Sequence, residues 1–200
     1  MKTQTLALGL ALALAPLAVT TAVLSHPPST SWLERRPRIN WNRPAASIPT
    51  ATNLTPANTV YCKQQIPNPS TPEEQAVKAA GWVVFKVRGE TQSAGGVVLV
   101  RGQTNYDGMC RPIGYQQFVF VNGVFAGTIA PNVMHSRFDG ALIQTNIETP
   151  SRLKAQFSRY TPQDSLCCPS RTSEVTYQID VINNQPLVVP MTVITYNNPD

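Results

Sequence analysis

The sequence predicts an α+β fold: a single small domain with one N-terminal helix packed on a mainly antiparallel β-sheet, stapled by disulfides. Three observations lead there. Asn122-Gly123 sits between two runs rich in Phe and Val, a strong signal for a hairpin turn. Arg152–Tyr160 and Glu174–Val181 alternate apolar and polar residues with the period of half-buried strands. Four cysteines in a chain that opens with an apolar leader point to an exported, oxidised protein.

Met1–Ser25 has a basic start at Lys2 and an uncharged run from Leu6 to Leu24, with small residues at Thr20, Ala22, Val23 and Ser25. This reads as a cleavable signal peptide over residues 1–25, cut between about Val23 and Pro27. The competing reading is an uncleaved anchor, since about 19 apolar residues can span a bilayer. Pro16 within the run and the arginines beyond it oppose that orientation. No cysteine lies near the cleavage region, so no lipobox is expected.

Residues 26–69 read as a Pro-rich basic linker, with Cys62 pinning it to the domain. Arg35, Arg36, Arg38 and Arg43 give it its charge and suit weak contact with an anionic membrane surface or wall polymer. The simpler reading is a solvated charge run. From Pro44 onward 11 basic residues face 10 acidic ones. The folded part is thus nearly neutral and carries no nucleic-acid footprint.

The domain spans residues 70–200. Thr71 caps a helix to about Ala80, Pro72 takes its first position, and Glu74 completes a capping box. The Glu73-Glu74 pair reads as a complement to the helix dipole rather than an acid–base pair. Trp82–Val87 and Gly96–Arg101 read as strands, and Gly102–Gly114 as a loop holding Cys110. Gln116–Ile129 is a hairpin in which Val121 pairs with Val124. Phe118, Phe120 and Phe125 then share one face, expected in one core with Phe157 and Tyr177. Val119, Val121, Val124 and Ala126 share the other, partly covered face. Pro131–Gly140 is a turn-rich loop, and Ala141–Ile147 a short strand. Antiparallel pairing of the two alternating strands sets Arg152 opposite Asp180 and Ser158 opposite Glu174. Asn183-Asn184 makes a second turn, and Leu187–Tyr196 an edge strand marked by Pro186 and Pro190.

Four cysteines allow three pairings. Adjacent side chains in extended backbone point apart, and Pro169 keeps Cys168 extended. The expectation is that Cys167 and Cys168 reach Cys62 and Cys110 separately and tie the linker and the Gly102–Gly114 loop to the sheet. Each such bridge would add ~3–5 kcal/mol. A direct Cys167–Cys168 bond is the disfavoured pairing and would instead speak for thiol redox or metal chemistry.

Two motifs resemble the LppP/LprE family of small exported bacterial lipoproteins. One is the hairpin with Phe118, Phe120, Asn122, Gly123, Phe125 and Gly127. The other, more specific, is Tyr160-Thr-Pro-Gln-Asp-Ser-Leu-Cys-Cys-Pro-Ser170, with Asp164 and Pro169. The likeness covers about residues 72–182. It implies an envelope, periplasmic or secreted location and supplies no activity and no catalytic residues. The absent lipobox departs from the family's name.

Function is therefore read as a non-catalytic exported module that binds a protein or an envelope component. A hydrolase using Asp164, Asp139 or His135 is the first alternative, and Gly-x-Ser-x-Gly, HExxH and phosphate-loop motifs are all missing. A thiol redox or metal-handling protein using Cys167 and Cys168 is the second. No cofactor is implied, and with His26 and His135 as its histidines the chain offers no His-based metal site.

Overall fold

A computed structural model describes residues 31–35, 39–52, 62 and 68–199. The signal segment, its cleavage region, Arg36 and Arg38 lie outside the described residues.

Helix α1 spans Pro72–Ala79. Thr71 accepts the Glu74 amide, and the Glu74 carboxylate reaches back to the Thr71 amide, closing the capping box. Glu74 is buried yet paired: it accepts from Ser70 N at 2.7 Å and meets Lys86 Nζ at 3.1 Å. Burial pushes its carboxyl up, but the Ser70 amide, Lys86 and the remaining donors outweigh this and hold it below its ordinary value.

Ten strands follow: β1 Val83–Phe85, β2 Ser93–Ala94, β3 Val97–Tyr106, β4 Pro112–Val121, β5 Val124–Thr128, β6 Met134–His135, β7 Leu142–Thr149, β8 Arg152–Arg159, β9 Arg171–Ile182 and β10 Gln185–Asn197. They form two antiparallel sheets, not one. The first runs β1-β3-β4-β5, with β2 on β3 and β6 on β4. The second runs β10-β9-β8-β7. The predicted 102–114 loop shrinks to a tight connection, because β3 continues to Tyr106 and β4 begins at Pro112.

The β4–β5 turn pairs Val121 with Val124, with Asn122 and Gly123 both at positive φ. The β8–β9 register is displaced by two residues from expectation: Arg152 faces Gln178 and Ser158 faces Thr172. A shift of two keeps every side chain on its own face, so the alternation is preserved while the pairs change.

Two cores result, and they correct the expected arrangement. Phe118 and Phe120 pack with Val77, Trp82, Val84 and Val100 beneath α1, with Phe125 against them. Phe157 and Tyr177 lie elsewhere, in the larger core between the sheets, with Val119, Ala126, Leu153 and Val175. The β4 strand is covered on both faces. Its Val face, expected to be partly covered, meets the second sheet.

The segment read as linker is also corrected. Leu33 is buried in the larger core, and Trp32 and Trp41 pack against it. Further on, Ile48 and Ala51 pack on the smaller core, the Trp82 indole donates to Pro49 O at 2.7 Å, and Ala51 N donates to Ala80 O at 2.9 Å. A Pro-rich chain without periodicity still buries Leu33 and half-buries Trp32 and Trp41 when it runs as an extended strap over a sandwich. Among the described residues no helix is long and apolar enough to cross a membrane.

Candidate binding groove and cysteine loop

The strap is fastened by side chains that replace a missing strand. Asn42 Nδ2 donates to Thr128 O of β5 and to Val188 O of β10, each at 3.0 Å. Its Oδ1 accepts the Thr128 amide at 2.9 Å. One carboxamide thereby bridges the facing edges of the two sheets. Gly127 makes this possible, since a Cβ there would stand 2.4 Å from the Asn42 side chain. The Trp41 indole adds bonds to Thr128 O and Oγ1. Trp32 meets Trp41 and Phe157 edge-on, at centroid distances of 5.1 and 5.3 Å.

A second fastening lies under the strap. The Arg159 side chain on β8 is 3% exposed and reaches three partners. Its guanidinium donates to Glu34 Oε1 at 2.6 Å, to Asp139 Oδ1 at 2.9 Å and to Ser173 Oγ at 3.1 Å. Burial disfavours the charge, but the two carboxylates more than offset this and raise the Arg159 pKa. One cation thus holds both the strap, through Glu34, and the 131–140 loop, through Asp139.

Between those walls runs a groove of about 570 Å³, lined by the strap residues Trp32 and Arg35 and by Asn132, His135, Phe138 and Asp139 of the loop. A smaller apolar recess of about 150 Å³ adjoins it, sharing Trp32, Arg35 and Pro131 and adding Ile39, Trp41 and Pro190. Phe138 is 64% exposed and Ile39 72%. His135 and Asp139 both line this groove. Asp139 Oδ1 is committed to Arg159 and to the Tyr160 amide, while the His135 ring stands edge-on to Phe138 at 5.9 Å. Of the exposed basic residues of the strap, Arg35 lines the groove, and Arg43 contributes nothing to its lining.

Asp164 is separate from this groove. It is the hub of the β8–β9 loop, accepting from Thr161 N and Oγ1 and from Ser170 N and Oγ at 2.7–2.9 Å. The Ser170 and Thr161 amides hold its carboxyl well below the usual carboxylate range. That accounts for the carboxylate of the Tyr160–Ser170 motif as loop chemistry.

The cysteine pairing corrects the expectation. Cys62 bonds Cys110, and Cys167 bonds Cys168. The splayed-sulfur argument needs strand backbone, but β8 ends at Arg159 and the pair sits in a turn, where Cys168 N donates to Ser165 O at 3.0 Å. Cys110 is already taken by Cys62, which is 4% exposed. The Cys62–Cys110 bond pins the segment before α1 to the β3–β4 turn. Cys167 and Cys168, both exposed, tether nothing beyond their own loop. Among the described residues no group of three or more His, Cys, Asp or Glu side chains is placed to hold a metal.

One buried polar cluster gave no usable sequence signal. Glu90 and Arg101 side chains are 3% and 5% exposed and share two bonds, at 2.7 and 3.0 Å. Glu90 also accepts from Thr145 N at 3.0 Å, and Thr145 Oγ1 donates to Gln117. The cluster joins the 88–92 segment to both sheets. An ionic pair 11 positions apart across a loop has no local pattern to betray it.

The remaining motif residues have structural places. Phe118 and Phe120 roof the smaller core, Asn122 and Gly123 form the hairpin turn, Gly127 admits Asn42, and the Pro169 carbonyl accepts from Asn198. No solved structure and no curated protein matches the chain. The resemblance carried by the hairpin and the cysteine loop does find its counterpart, over a shorter stretch than the motifs suggested: residues 91–181, from the β2 approach through β9, match the family described as LppP/LprE lipoprotein.

Proposed function

We propose that the chain is a non-catalytic exported module that binds an envelope component, specifically a wall glycan, in the groove between the strap and the 131–140 loop. The observation that carries this is the groove itself, with a volume within the ordinary range for ligand sites. Its lining supports the ligand class. Trp32, Trp41 and Phe138 supply flat apolar surfaces suited to sugar rings, and Asn132, Arg35 and Asp139 supply donors and acceptors for hydroxyls. The likeness to exported lipoproteins supports an envelope location for the chain, the compartment in which wall glycans occur.

The test is isothermal titration of the exported chain with soluble saccharide fragments released from bacterial wall. Phe138→Ala removes an exposed ring and should weaken binding about tenfold or more, with an unchanged melting temperature. Absence of binding to any fragment, or equal binding by Phe138→Ala and Arg35→Ala, would overturn the reading.

A further inference from the structure

The two disulfides of this chain differ in every respect that governs reactivity. Cys62 is buried and its bond to Cys110 spans 48 residues, so opening it releases the segment before α1. Cys167 and Cys168 are adjacent and exposed, at the tip of the β8–β9 loop. That loop does not need their bond to keep its shape. Asp164 joins Thr161 to Ser170 across its base, the Tyr160 hydroxyl donates to Leu166 O at 3.2 Å, and Asn198 Nδ2 donates to Pro169 O at 2.6 Å. Opening the Cys167–Cys168 bond therefore costs the fold little.

The two sulfurs are also unequal. The Ser165 hydroxyl lies 3.1 Å from Cys167 Sγ, and because a disulfide sulfur carries no proton, the hydroxyl is the donor. A donor at that sulfur stabilises negative charge there, which makes Cys167 the better leaving group. Among the described residues no such donor meets Cys168 Sγ, so that sulfur is the better point of attack.

We propose that Cys167–Cys168 is a thiol–disulfide exchange site, attacked at Cys168 Sγ by a dithiol partner in the exported compartment, while Cys62–Cys110 serves the fold. In the first step a partner thiolate attacks Cys168 Sγ. The S–S bond breaks, its electron pair leaves on Cys167 Sγ beside the Ser165 hydroxyl, and that thiolate takes a proton from solvent. In the second step the partner's other thiolate attacks its own sulfur in the mixed disulfide and expels the Cys168 thiolate, which is protonated in turn. The partner dithiol loses two electrons and two protons and becomes a disulfide. Cys167 and Cys168 gain both and become thiols.

The experiment treats the native exported chain briefly with the monothiol glutathione, quenches with acid, alkylates and maps the peptides by mass spectrometry. Glutathione on Cys168, alkyl label on Cys167 and an intact Cys62–Cys110 bond are expected. Ser165→Ala should slow the exchange by about three- to tenfold at an unchanged melting temperature. Reduction of Cys62–Cys110 before Cys167–Cys168 would overturn the site. Glutathione predominantly on Cys167, or an unaltered rate in Ser165→Ala, would overturn the assigned direction of attack. A parallel titration with dithiothreitol should release two thiols, both at Cys167 and Cys168, before any loss of the folded-state signal. Concurrent unfolding would show that the bond is structural and sink the proposal.

Discussion

Single side chains carry much of the long-range order. Glu90 illustrates it: one carboxylate satisfies Arg101 on β3 and the Thr145 amide on β7, across the two sheets. A buried ion is tolerable only while its partners are present. Glu90→Ala leaves the Arg101 guanidinium buried without its carboxylate and should cost about 3–5 kcal/mol in a denaturant titration. A loss below about 1 kcal/mol would show that water reaches Arg101. Asp164 acts more locally. Its native carboxyl binds a proton less tightly than the unfolded one, so its contribution is complete above the ordinary carboxyl range near pH 4. It is lost as pH falls toward the depressed native value. The protection factors of the Thr161 and Ser170 amides, which are exchange rates corrected for the intrinsic dependence on pH, should therefore stay high at pH 5 and fall as the pH drops well below 4. In Asp164→Ala both amides should already exchange rapidly at pH 5.

At the scale of elements, the β4–β5 hairpin shows how a strand can serve two cores. Its Phe face roofs α1, and its Val face meets the second sheet. Phe120 is nearly inaccessible and touches Phe125 at a centroid distance of 5.7 Å. Phe120→Ala should cost about 3–5 kcal/mol. Near-ultraviolet circular dichroism should locate the damage at Trp82, which packs in that same core, while the Trp32–Phe157 contact between strap and sandwich survives. Equal disturbance of both would mean that the two cores fold as one. The turn, the capping box and the strand alternation were all legible because each depends on residues within four positions of one another. The β8–β9 register was not, since a slip of two residues keeps the same faces buried and only the intervening loop decides between the alternatives.

At the scale of the molecule, the strap is part of the domain. Leu33 fills the larger core, Asn42 spans β5 and β10, and Glu34 pairs with Arg159. A chain beginning at Pro44 loses all three and exposes the core edge around Phe157. It should melt at least 10 °C lower than the exported chain, at roughly 4–8 °C per kcal/mol for a domain of about 100 residues. It should also lose the groove, because one wall is missing. An unchanged melting temperature on scanning calorimetry would return the segment to the status of a linker.

What the sequence determined by itself was local: the helix and its cap, the positions of most strands, both Asn-containing turns and the oxidised character of the chain. Those features are encoded in side-chain period, in φ preferences and in capping chemistry, all of which act between near neighbours. Only the tertiary structure decided that the strands divide into two sheets, that the Phe face and the Phe157–Tyr177 core are separate, that the strap docks, and that Cys167 bonds Cys168. The reason is common to all four. Alternation says that a face is buried and not what buries it, and the partner is chosen by packing between residues far apart in the chain. The cysteines follow the same rule. Which sulfurs meet depends on where the β8–β9 loop turns, and that turn is set by Asp164 reaching from one end of the loop to the other.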